Sequence, residues 1–258
     1  VEANLVEGRI VIMSESSSDA IIAPASFFSF FQSTDDYNLR FWSGSFFRLL
    51  RLFCFWGTLT LPALYIAVIS FHLEIIPYDL IGLVKTSIEQ VPFSPFVEAV
   101  IMITTIELIR EAGIRLPSPI GQTIGIVGGL IIGDSVVNAG LVSNVMVIIV
   151  ALTAIMSFCI PTYEMGNTIR LLGLPVMLGA ASLGFVGIVF AFMFIFIHLC
   201  SLESFGVPYL SPIVPTNLRE WQDVIIRAPN WKRGYRQREL HTLKPIRASR
   251  GRAWDQHD

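Results

Sequence analysis

Leu52-Phe-Cys-Phe-Trp-Gly-Thr-Leu-Thr-Leu-Pro-Ala-Leu-Tyr-Ile-Ala-Val-Ile-Ser-Phe71 decides the fold class. It fills most of a gap of 22 residues without formal charge, from 52 to 73, between Arg51 and Glu74. A bilayer-spanning helix needs about 20 largely apolar residues, so the gap is long enough. Two longer gaps follow, 29 residues between Asp134 and Glu164 and 32 between Arg170 and Glu203. One such run could be the core of a soluble domain, but three in 258 residues argue for lipid. The whole chain agrees, with 53% hydrophobic and 15% charged residues and a mean hydropathy of +0.64. A soluble domain carries about 25% charged residues.

The gaps predict an α-helical integral membrane protein with about four transmembrane or partly spanning helices. The first span is expected at Leu52–Phe71, kinked by Pro62, which membrane helices tolerate. Another is expected at Leu141–Ile160, stopped by Pro161, and the last at Leu174–Leu199, with Pro175, Gly179, Gly184 and Gly187 inside it. Residues 1–45 read as the end of a cytosolic α/β domain, 46–202 as the helical membrane domain and 203–258 as a cytoplasmic tail. Within the first part, Arg9–Met13 and Ala20–Ala23 are short β-type runs separated by Ser14–Asp19, a hairpin pattern ending at Pro24. Phe27, Phe28, Phe30 and Phe31, followed by Arg40, Arg48 and Arg51, suggest an amphipathic lead-in at the membrane surface. The chain starts at Val1-Glu2 with no basic-then-apolar leader and is expected to be part of a longer protein.

From Arg219 onward ten Lys and Arg stand against five acids. The positive-inside rule puts this tail in the cytoplasm, and Arg40, Arg48 and Arg51 put the N-terminal side there too. Same-side termini require an even number of crossings, four if residues 96–112 span wholly or partly. Basic residues beside a membrane helix ordinarily face anionic lipid, so lipid and not nucleic acid is the expected partner of the tail.

Phe96–Ala112 is helical in composition but carries Glu98, Glu107, Arg110 and Glu111. At helical spacing Thr104, Glu107 and Glu111 share a face, Arg110 lies one i,i+3 step from Glu107, and Glu98 faces elsewhere. Ionisable groups at membrane depth are costly and tend to face a bundle interior or a wet cavity. Two readings stay open: a polar face lining a pore, or a surface helix with solvated charges. After the break at Gly113–Pro119, Gly121, Gly125, Gly129 and Gly133 recur every fourth residue, with Gly128 beside them. Such a stripe lets another backbone approach closely, as in small-xxx-small membrane contacts. A phosphate loop is disfavoured, because no Gly-Lys-Ser/Thr follows and no basic residue lies between Arg115 and Arg170. Cys54, Cys159 and Cys200 have no metal-ligand spacing and read as small hydrophobes. No nucleophile–base pair, metal cluster or cofactor loop is visible, so neither an enzyme nor a cofactor or metal is expected.

Several blocks carry a resemblance: Glu7-Gly-Arg9, Pro92-Phe-Ser-Pro-Phe-Val-Glu98 and Glu107-Leu-Ile-Arg-Glu-Ala-Gly-Ile-Arg-Leu-Pro117. So do Pro119–Leu130, Ile160–Leu172 and His198–Pro212. Together they resemble the A-subunit family of GerA-type spore germination receptors over nearly the whole chain. The resemblance implies a subunit of a spore inner-membrane complex that oligomerises with itself into a gated ion channel. It further implies a transporter-like B-subunit, to which nutrient sensing is attributed, and a lipoprotein C-subunit as partners. A related branch is associated with dipicolinic acid release, and the chain does not separate the two. A secondary transporter with a substrate site at the broken segment 113–120 and a non-conducting scaffold remain as alternatives.

Overall fold

The computed structural model describes residues 4–5, 8–15, 20–33, 36 and 39–214. The basic tail from Arg219 and Glu7 of the first motif lie outside these residues. In chain order the elements are β1 (Ile10–Met13), β2 (Ala20–Ala23), a 3-10 turn (Phe27–Phe31), α1 (Phe41–Phe71), a second 3-10 turn (Leu73–Ile75), α2 (Tyr78–Glu89) and α3 (Pro95–Arg115). Then come α4 (Ser118–Asn138), α5 (Asn144–Phe158), α6 (Tyr163–Leu183), α7 (Phe185–Ser201) and a small hairpin, β3 (Glu203–Ser204) with β4 (Val207–Pro208). The chain forms two compact units, 1–52 with 194–258, and 53–193.

In the first unit β1 and β2 pair antiparallel, Ile10 opposite Ala23 and Met13 opposite Ala20, as the two short apolar β-type runs around a polar stretch suggest. The phenylalanine cluster is a 3-10 turn with Phe27, Phe28 and Phe31 buried, and the Phe27 and Phe28 rings meet edge-on at 5.1 Å. It leans on the far end of the sequence. The Phe27 N–H donates to the Tyr209 carbonyl at 2.8 Å, and the Ala25 N–H to Ser204 Oγ at 3.1 Å. Burial also pushes the Tyr209 phenol above its ordinary pKa. Two of the three arginines expected at a membrane surface are instead tied to one carboxylate: Arg51 lies 2.6 Å and Arg48 3.9 Å from the buried Asp36.

The expectation of four spanning helices is corrected here. Among the described residues, α1 alone is long and apolar enough to cross a membrane. At 1.5 Å per residue its 31 residues reach about 46 Å. It starts eleven positions before the expected Leu52, with Pro62 inside it. The apolar helices α5 and α7 have 15 and 17 residues. They reach only about 23 and 26 Å, short of a hydrocarbon core of about 30 Å.

The physical reason is that an uncharged run is not a continuous helix. Ser143 caps α5 by accepting the Met146 N–H at 3.3 Å, so that helix starts nine residues into the 29-residue gap. Gly184 divides the 32-residue gap. Its φ of +63° lies in the left-handed region where a helix cannot continue, so α6 ends at Leu183 and α7 begins at Phe185. The expected spans at 141–160 and 174–199 are therefore each cut short. Within the second unit, α1 buries Leu59, Ala63, Ile66 and Ala67, α5 buries Met146 and Val150, and α6 buries Ile169, Val176 and Met177. The opposite sides are also apolar, for example Ile148 and Ile155 on α5 and Val186 and Val189 on α7, all exposed. A helix hydrophobic all round is not a surface helix in water.

Candidate functional site

Two charges of α3, Glu107 and Arg110, meet Arg170 of α6 at one cavity in the second unit. Glu107 Oε1 accepts from Arg110 Nη1 at 2.7 Å and pairs with Arg170 Nε of α6 at 2.8 Å. One carboxylate thus holds two guanidiniums, from α3 and α6, that are 60 positions apart in sequence. Arg110 Nη2 donates to Ser157 Oγ at 3.3 Å, and the guanidinium lies over the Phe158 ring, 4.6 Å from its centroid. Arg170 Nη2 donates to Asn167 Oδ1. The Arg110 and Arg170 side chains are only 9% and 15% exposed, whereas Glu107 is 39% exposed. The cavity beside them has a volume of about 40 Å³ and is walled by Leu59, Pro62, Ile103, Ile106, Val150 and Met177. Its charge is a fixed excess of one cation, two arginines against one glutamate.

The other residues singled out on α3 go elsewhere. Glu111 pairs with Arg115 at 2.6 Å, and both are more than half exposed, an i,i+4 surface pair. Thr104 is exposed and is not among the cavity walls. Glu98 is fully buried, and its Oε2 accepts the Ser143 N–H at 2.9 Å at the start of α5. Tyr65 closes that network, its hydroxyl 3.1 Å from Ser143 Oγ. Glu98 therefore ties α3 to α5 and stands apart from the Glu107 cavity.

The glycine stripe of α4 divides. Gly121 and Gly128 face α3: a Cβ on Gly121 would sit 2.7 Å from the Gly113 carbonyl oxygen, and one on Gly128 would touch Ile109 at 3.6 Å. At Gly125, Gly129 and Gly133 a Cβ would meet nothing within 4 Å. The residue that sequence reading passed over is Arg170. The signal was present, since Arg170 is the lone arginine or lysine between Arg115 and Arg219 and a cation in so apolar a stretch needs a partner.

The sequence profile described as Bacillus/Clostridium GerA spore germination protein matches residues 1–239. The chain belongs to the GerA spore germination family. Spore germination protein KA of Bacillus subtilis (strain 168) is 44% identical over 231 residues, covering 90% of this chain and 42% of that protein. Spore germination protein GerQA of Bacillus cereus is 46% identical over 230 residues, covering 89% of this chain and 46% of that protein. A relative named uncharacterized membrane protein YfkQ, from Bacillus subtilis (strain 168), is 42% identical over 231 residues, 90% of this chain and 45% of its own length. The chain thus spans less than half the length of these curated GerA relatives. No solved structure matches it.

Proposed function

We propose that this GerA-family chain is a membrane subunit of a spore germination receptor complex that assembles with copies of itself into a gated ion channel. The observation that carries the reading is the charged cluster Glu107–Arg110–Arg170, held inside an apolar helical unit in a chain of this family. Fixed charges in such surroundings are expensive and are kept where ions or ligands pass. Two features support assembly and location. The open glycines Gly125, Gly129 and Gly133 offer a flat face for a helix of another copy. The length of α1, with the exposed apolar sides of α5 and α7, suits the spore inner membrane or the cell membrane. The basic tail assigns the C-terminal side to the cytoplasm. The partners proposed are further copies, membrane lipid, a transporter-like B-subunit and a lipoprotein C-subunit. The chain is not assigned an enzymatic role.

Mass measurement of the intact protein in lipid nanodiscs tests this reading. Several copies per disc are expected, and a strict monomer that still supports germination would leave the channel without walls. Saturable, substrate-coupled uptake into vesicles would favour a transporter instead.

A further inference from the structure

We propose that the cavity between Arg110 and Arg170 binds a small monovalent carboxylate. The inference stands on the cavity and does not rest on the channel reading. The first argument is charge. Two guanidiniums share one carboxylate, and no other charged side chain lines the cavity among the described residues. One further negative charge would balance the site, whereas a dianion would overshoot. The second is unused donor capacity. Arg110, nine-tenths buried, lines the cavity and leaves its Nε–H without an acceptor. A buried charged donor without a partner is costly, and a carboxylate is its natural acceptor.

The third argument is the absence of competing donors. Thr58, Thr153 and Ser157 all reach the cavity, but their hydroxyls donate to carbonyls of their own helices at 2.8, 2.8 and 2.7 Å. The guanidiniums are left as the recognition groups. The last argument is size. A cavity of about 40 Å³ has room for a few waters or an acetate-sized anion. The apolar walls Ile103, Ile106, Val150 and Met177 would take the hydrocarbon end.

Glu107 is, on this reading, the competitor that the ligand partly displaces, and that makes the test unusual in sign. Calorimetric titration of the intact protein in nanodiscs with sodium acetate, at constant ionic strength in chloride, should show saturable binding. Glu107→Gln should tighten it by about tenfold or more, because an adjacent like charge is gone. Arg170→Gln should abolish it. Should Arg170→Gln fail to fold, Gly173→Ala serves: its added methyl meets nothing within 4 Å and takes up cavity space. That variant should melt at or slightly above the wild-type temperature and bind acetate about threefold more weakly. No saturable binding by the wild-type protein overturns the proposal. So does unchanged or weaker binding in Glu107→Gln, and so does wild-type affinity in Arg170→Gln or Gly173→Ala.

Discussion

The turn at Gly184 makes a prediction whose size can be worked from the structure. Helices α6 and α7 meet at Gly179 and Gly187, backbone against backbone. A Cβ on Gly179 would lie 2.6 Å from the Gly187 carbonyl oxygen, and one on Gly187 would run into the Gly179 carbonyl. Neither obstacle is a flexible side chain, so the helices must separate. Overpacking of this kind costs about 1–3 kcal/mol, and a rigid backbone obstacle puts Gly187→Ala near the top of that range. The better helix propensity of alanine returns about 1 kcal/mol. The net loss is about 1–2 kcal/mol, or roughly 2–8 °C in melting temperature for a protein of this size. Gly82→Ala is the control. It sits inside α2 with nothing within 4 Å of its Cβ, so it should melt at or slightly above wild type. Thermal unfolding of the intact protein in one detergent measures both. A Gly187→Ala protein as stable as Gly82→Ala would refute the close approach, and with it the account of why the longest uncharged run is not one helix.

Two other perturbations separate folding from assembly. Glu98→Ala should cost about 1–3 kcal/mol by orphaning the buried Ser143 N–H, while Glu98→Gln keeps an acceptor there and should cost less. Equal melting temperatures for the two would mean that the hydrogen bond does not matter. Gly125→Leu and Gly129→Leu should leave the subunit folded but reduce its oligomeric mass in nanodiscs, whereas Gly121→Leu should destabilise the fold through its contact with Gly113. Normal assembly of both Gly125→Leu and Gly129→Leu would leave that face of α4 toward lipid.

Local signals were the legible ones. The hairpin at 10–23 follows from two short apolar β-type runs separated by a polar stretch, and α3 covers 95–115 against an expected helix over 96–112 because Pro95 opens it and Pro117 lies beyond it. The position of Glu98 off the Glu107 face was readable from helical spacing. What escaped depends on contacts between distant residues or on one backbone angle. Counting uncharged residues cannot see the Ser143 cap or the positive φ of Gly184, and these turned two expected spans into shorter helices. Nor does spacing along α3 show that Glu107 is claimed by Arg170, or that Glu98 reaches Ser143. The stripe on α4 read as one packing face, but only Gly121 and Gly128 pack against α3 within the chain.

The proposal that this GerA-family protein conducts ions when assembled is tested directly by planar bilayer recording of the purified intact protein. The account predicts discrete current steps whose conductance or selectivity changes when Glu107→Gln is introduced, with assembly retained. A bilayer that stays electrically silent, with inserted oligomers verified in the same membrane, would contradict it.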